Sequence, residues 1–379
     1  MSETTTASPA HSALRPLQEQ AGAVFGEVAG AAVARHYGDG AAEYRAVRQA
    51  AGFADRADRA RLRLWGRDPV RMMHGLVTND LLKAEPGRGV YAAMLTARGR
   101  MVADVRVFRR ADGELLVGLA REALEGTREH LKKFVPPLFA RWADATDAVA
   151  EIGVYGPRSR ELLGRVLGAE VPALAEDAFV EPEWSGARLL VAATREAGGE
   201  EGFDVFVPAE RVGELWTALA EQGSEAGARP VGFGALETLR MEAGRPRYGA
   251  ELTEETIPTE AYEAAGLMDR AISFHKGCYT GQEVIVRIAH RGHVNRHLRG
   301  LLLGEAPAPA ARAPLHHPET GREVGRVTGA AFSPLLGQTV AMAYVRREIE
   351  PGGEVRVGAA EGPAARVAGL PFRRIDAGE

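Results

Sequence analysis

Cysteine is almost absent: Cys278 is the single one in 379 residues. An internal disulfide is therefore impossible, as is a metal or cluster site built from cysteine alone within the chain. Such sparing use suits a reducing compartment. Aromatic residues make up only 6% of the chain. No uninterrupted apolar run approaches the ~18–20 residues that a spanning helix needs, so neither a transmembrane segment nor a membrane partner is expected. Positive charge is not in excess, with 47 Lys and Arg against 51 Asp and Glu and a formal net charge of −4. That balance argues against coating of nucleic acid, and direct binding of nucleic acid is not expected. The first fourteen residues hold no Lys or Arg and lack the basic-then-apolar order of a secretory leader. A cytoplasmic location is the resulting expectation.

What is present is the composition of a globular protein, 45% hydrophobic and 26% charged, on a chain long enough for two or three domains. The polar, Ser/Thr/Pro-rich opening predicts a disordered tail over 1–20. From there to 286 the pattern predicts an α+β region of two subdomains. In the first, "RLRLWG" (61–66) alternates like a half-buried strand, Asp68–Pro69 signals a helix start, and "VYAAMLT", "RMVADVRVF" and "ELLVGLA" form a meander. Asp112–Gly113 between the last two is a type I′ hairpin signal. A helix over 122–134 is stopped by Pro136–Pro137. A second cycle from Thr146 repeats strand, helix, strands and helix. The Pro/Ala run 304–314 reads as a connector leading into a third unit. Short strands with Gly-rich turns predict a small β-barrel within 287–379.

Four stretches carry chemistry. In "LVTNDLLKAEPGRGVYAAMLTARGRMVADV" (76–105), Thr78, Asn79 and Asp80 have turn-forming side chains, while Tyr91 and Asp104 lie on strands expected to pair. In "REAGGEEGFDVFVP" (195–208), Gly198, Gly199 and Gly202 permit close backbone approach. Glu200, Glu201 and Asp204 there offer carboxylates able to accept paired N–H donors from a flat heterocycle; a solvated hairpin turn explains the stretch equally well. In "GFGALETLRMEAGRPRYGAEL" (232–252), Arg240 is suited to a carboxylate, or to a structural pair with Glu242. Finally, "FHKGCYTGQEVIVRIAHRGHVNRHLRG" (274–300) sits where residues 270–299 hold six Lys or Arg, four His and one acid, Glu283. Lys276 beside Cys278 in a Gly-flanked loop favours the thiolate. His290, His293 and His297 approach an expected strand on which 290 and 297 would face opposite sides, so no metal site is expected and a polyanion-contacting surface fits better.

Together "VTNDL", "GEEGFDV", "LRMEAGRPRYGAEL", "PTEAYEAAGL" and "KGCYTGQEV" resemble the YgfZ/GcvT folate-binding family. The last matches the K-G-C-[Tyr/Phe]-x-G-Q-E signature of its YgfZ branch. The resemblance implies a ring of three domains, two α+β and one β-barrel, around tetrahydrofolate. It implies folate contacts at Tyr91, Asp104 and Arg240, and a pterin carboxylate at either Glu200 or Asp204. Glycine-cleavage aminomethyltransferases carry two adjacent aspartates where this chain has Ala103–Asp104. The branch is similar instead to proteins that support assembly or repair of iron–sulfur enzymes, including a tRNA-modifying one. Cys278 would then be the working thiol, Lys276 its activator, and iron–sulfur client proteins the partners. The alternative is an aminomethyltransferase acting with tetrahydrofolate on a lipoylated carrier. A folate-dependent demethylase domain is disfavoured, because no dinucleotide-binding glycine pattern follows a strand.

Overall fold

A computed structural model describes residues 9–262 and 266–372. The fold is mixed α and β, and its described residues divide into two compact units: one of residues 9–74, 80–91 and 105–239, the other of 75–79, 92–104, 240–262 and 266–372.

The first unit is organised on a six-stranded sheet in the order Phe179–Val180, Leu190–Thr194, Gly202–Pro208, Val149–Tyr155, Gly52–Asp55 and Arg229–Pro230. Only its last pairing is parallel. Helices Ser159–Leu167 and Val212–Gly223 place Leu162, Leu163, Leu215 and Leu219 in one core with Phe53, Ile152, Val205 and Val207 from the sheet. Gly168, with φ 66°, supplies the left-handed stop of the first helix. A five-stranded sheet runs in the order Arg88–Leu95, Met101–Arg109, Leu115–Ala120, Arg59–Trp65 and Arg141–Asp144, so the strands bearing Tyr91 and Asp104 are neighbours as expected. Helix Leu124–Phe134 ends before Pro136–Pro137.

The expected disordered tail is corrected from Pro9 onward. Residues 9–20 form a helix, Pro9–Gln20; residues 1–8 lie outside the described residues. Leu14 is buried in the first core and Leu17 packs against it, and burial of one such leucine stabilises by roughly 1.5–3 kcal/mol. Ser/Thr/Pro content hid a three-residue apolar spacing. The hairpin near Asp112 is a second correction. Arg110 pairs with Glu114 through its N–H at 2.9 Å, and Gly113 N–H reaches Arg110 O at 3.1 Å. Of the Asp112–Gly113 pair only Gly113 takes positive φ, 85°. This is a three-residue loop closed by one left-handed glycine, not a two-residue type I′ turn, which needs positive φ at both centres.

The second unit contains a closed barrel in the order Arg296–Gly304, Gln338–Arg346, Glu323–Ser333, Pro314–His316, Glu354–Val357 and Ala364–Ala368. The last strand pairs back onto the first through Gly300–Ala368 and Leu301–Val367. Leu301, Leu315, Val324, Val345, Val355 and Val367 fill its interior. The Pro/Ala run does not lead into this barrel but lies inside it, joining its first two strands in the chain. The boundary expected after 286 falls within helix Gln282–Arg291, where the sequence reading had no helix.

Candidate functional site

Within the first unit, the strand Gly202–Pro208 carries Asp204 between Ala192 and Gly153 of its neighbours. Its carboxylate is 1% exposed. One oxygen accepts from Tyr155 Oη at 2.8 Å, and the other is engaged by the Arg106 guanidinium. Arg106 also donates to Asp177 Oδ1 at 2.9 Å and to Ala193 O at 2.8 Å. Arg56 donates to Tyr155 Oη at 2.6 Å and forks onto Asp58 at 3.0 Å. Burial works against the Arg106 charge, but Asp204 and Asp177 outweigh it and raise its pKa. Glu151, also buried, is pushed up to about 7 by desolvation and then by Asp204. Asp204 is thus the centre of a buried ion network.

Glu200 differs in every respect. It lies in the loop joining Leu190–Thr194 to Gly202–Pro208, and its side chain is 45% exposed, 3.5 Å from Arg48. Arg48 is itself fixed on Gly198 O at 2.9 Å. Gly198 and Gly199 take φ of 76° and 79°, which turns the loop and leaves the Glu200 carboxylate at the surface. Of the two carboxylates left open by the sequence, only this one has capacity for paired N–H donors without breaking a buried ion pair.

In the second unit, the segment 75–79 holds the loop that carries Cys278. Ser273 N–H donates to Thr78 O at 3.0 Å and Thr280 N–H to Gly75 O at 3.2 Å. Between them Lys276 Nζ donates to Val77 O at 2.6 Å. Thr78 Oγ1 reaches Ala271 O at 2.7 Å and Asn79 Nδ2 reaches Arg270 O at 2.6 Å. The short polar side chains expected to shape a local turn therefore work across some 190 residues of sequence. Cys278 is exposed. Lys276 is buried, with its ammonium 5.0 Å from the Tyr279 ring centroid. Burial pushes the Tyr279 hydroxyl up to about 12. Gly281, at φ 83°, starts helix Gln282–Arg291, and a Cβ there would lie 2.6 Å from Thr96 O. His290 ends that helix and His297 lies on the first barrel strand, which replaces the single strand approach expected for them.

The remaining expected residues are placed one by one. Tyr91 is buried in strand Arg88–Leu95, and Asp104 is buried in Met101–Arg109 beside the fully buried Ala103. Arg240 sits near the end of helix Phe233–Glu242, and its guanidinium binds Glu251 at 2.8 Å and Arg245 O at 3.0 Å. Glu251 is thus a carboxylate partner of Arg240, and Glu242 accepts from Ser333 Oγ and Leu335 N–H. Sequence reasoning missed Arg106, Tyr155 and Arg48. Arg106 shares with Asp104 the polar face of the alternating "RMVADVRVF", so the signal was present, but a charged residue in an alternating strand reads as solvent-facing.

Comparison with known proteins gives a consistent family. The GCVT N-terminal domain matches residues 14–276, and the glycine cleavage T-protein C-terminal barrel domain matches residues 296–373. An aminomethyltransferase of Rubrobacter xylanophilus is 34% identical over 336 residues, covering 88% of this chain and 86% of its own. One of Saccharopolyspora erythraea is 33% identical over 379 residues, covering 98% and 100%. The crystal structure of glycine cleavage system aminomethyltransferase T from Bartonella henselae has a TM-score of 0.83 over 95% of this chain and 97% of its own, at 22% identity, a likeness of fold. These matches reach the family as a whole and do not single out the cysteine-bearing branch or an iron–sulfur role.

Proposed function

Because the chain belongs to the glycine cleavage T-protein family, we propose that it binds tetrahydrofolate and acts as an aminomethyltransferase on a lipoylated carrier protein. The observation that carries this reading is the relatives of that name, which match nearly the whole chain at 33–34% identity. It reverses the order of the two readings drawn from the sequence, where the iron–sulfur accessory role stood first. Tetrahydrofolate, when bound, supplies the nucleophilic nitrogens that accept the one-carbon unit.

The residues fit such a ligand at the pterin end. Glu200 is the carboxylate assigned to the pterin, since its side chain is 45% exposed while the oxygens of Asp204 are taken by Tyr155 and Arg106. A carboxylate accepts two parallel N–H bonds, the pattern an aminopyrimidinone presents. Arg48 lies 3.5 Å from the Glu200 carboxylate and steadies it. Tyr91, Asp104 and Arg240 are the further folate contacts of this reading, and substitution of each should weaken the thermal stabilisation of the protein by tetrahydrofolate.

The test is release of ammonia from an aminomethyl-lipoylated carrier, dependent on both tetrahydrofolate and the protein. Absence of that release, with folate binding intact, overturns the transferase reading. One observation favours the second reading, an accessory protein for iron–sulfur enzymes: the Cys278 thiol is exposed on a loop tied at both ends to 75–79. Cys278→Ala separates the two. Transferase chemistry leaves ammonia release unchanged in this variant, whereas the accessory role requires lost iron–sulfur enzyme activity in a deletion strain carrying it.

A further inference from the structure

Among the described residues seven large apolar side chains are exposed, and three of them, Phe134, Leu138 and Phe139, fall in the stretch "KKFVPPLFAR" (132–141). Leu138 is 74% exposed, the highest of the seven. Exposed single leucines need no explanation, but three large apolar groups within six positions do. The loop that presents them is fixed. Phe139 N–H and Ala140 N–H both donate to Pro136 O, at 3.0 and 3.2 Å, and Asp68 N–H donates to Phe139 O at 2.8 Å. Val135 and Ala140 are buried at either end. Pro136 and Pro137 restrict the backbone further. The outward placement of Leu138 and Phe139 is therefore built in.

Charge identifies what this loop meets. Lys132, Lys133 and Arg141 are exposed within the same ten residues, and no Asp or Glu occurs among them, in a chain whose acids outnumber its bases. Lys133 Nζ lies 5.1 Å from the Phe134 ring centroid, and Lys132 makes one loose exposed pair with Glu129 at 4.0 Å. A second copy docking through the same face would oppose bases to bases. Projecting apolar side chains flanked in the chain by exposed Lys and Arg are the pattern of a segment that enters the boundary of an anionic bilayer, where aliphatic groups reach the acyl region and bases meet phosphates. We propose that residues 132–141 form a peripheral contact with anionic lipid surfaces. The lack of a long apolar helix among the described residues concerns spanning and does not bear on such a contact.

The experiment is co-sedimentation of the full chain with phosphatidylglycerol/phosphatidylcholine vesicles and with phosphatidylcholine vesicles. Binding is expected to the anionic vesicles, to weaken with salt, and to be marginal on phosphatidylcholine. Each basic side chain near an anionic surface contributes about a fivefold change in partitioning, so Lys132→Glu/Lys133→Glu should weaken binding by well over tenfold. Leu138→Asp/Phe139→Asp should abolish it, with far-UV circular dichroism and tryptophan fluorescence unchanged in both variants. No binding by the wild type at low salt overturns the proposal, as does charge-reversed protein that sediments like wild type. A wild-type dimer that Leu138→Asp/Phe139→Asp converts to monomer, without vesicle binding, assigns the face to a second copy instead and also overturns it.

Discussion

Replacing Asp204 by Asn distinguishes a structural carboxylate from a ligand-binding one. In the native protein Arg106 is 2% exposed on its side chain and Asp204 1%. The substitution keeps an oxygen for the Tyr155 hydroxyl but turns an amide, or an uncharged oxygen, toward the Arg106 guanidinium. Arg106 retains Asp177 and Ala193 O, so it loses one of three hydrogen-bond anchors and the foremost of the carboxylates that hold its charge. Breaking a buried ion pair by removing one partner costs about 3–5 kcal/mol, and a hydrogen bond to a charged group about 1.5–3 kcal/mol; a loss of about 3 kcal/mol is expected. All four tryptophans, Trp65, Trp142, Trp184 and Trp216, lie in the first unit, so urea unfolding followed by tryptophan fluorescence reads this unit directly. The companion Glu200→Gln should change that midpoint little, because its pair with Arg48 is half exposed and such pairs contribute about 0–1 kcal/mol. Tetrahydrofolate, however, should raise the thermal midpoint of wild type and not that of Glu200→Gln. An Asp204→Asn protein as stable as wild type but indifferent to folate would refute the division of labour.

Other expectations follow from the same geometry. Glu151 holds a proton up to about pH 7 when folded but releases it near 4.5 when unfolded, so stability should fall as pH rises through that window. Glu151→Gln removes the effect, and its advantage over wild type should grow by on the order of 3 kcal/mol across the window; a pH-independent difference contradicts this. Gly281→Ala must abandon φ 83° or press a Cβ to within 2.6 Å of Thr96 O, and should cost about 1–3 kcal/mol in a chemical melt. Native protein should take up one equivalent of a thiol-reactive dye at Cys278 without denaturant, and protection of the thiol until unfolding would contradict its exposure.

Regular elements were legible where local chemistry decides them. The alternation in "RMVADVRVF", the Asp68–Pro69 helix start and the Pro136–Pro137 stop each act over a few residues, and each appears where expected. Long-range contacts were not legible. Nothing local says that Thr78 reaches Ala271, or that Asp204 rather than Glu200 spends both oxygens on buried donors. Helix Gln282–Arg291 carries Val284, Ile285 and Ile288 at helical spacing, but its run of β-branched Val and Ile reads equally well as a strand. Conversely, the first helix was obscured by its polar composition although Leu14 anchors it. The family motifs identified which carboxylates to compare, and the choice between them required their hydrogen-bond partners.

The closed barrel has a practical consequence for handling this protein. With Ala364–Ala368 paired back onto Arg296–Gly304, the ring of strands presents no open row of backbone donors and acceptors to another chain. The Pro/Ala stretch between Gly304 and Pro314 contributes no strand to that ring. Its middle, 307–311, precedes the bonds of Arg312 N–H to Val327 O and of Val327 N–H to Ala313 O, so a reporter module or new chain termini introduced there keep the barrel pairings, which makes it a natural splice point for engineered forms.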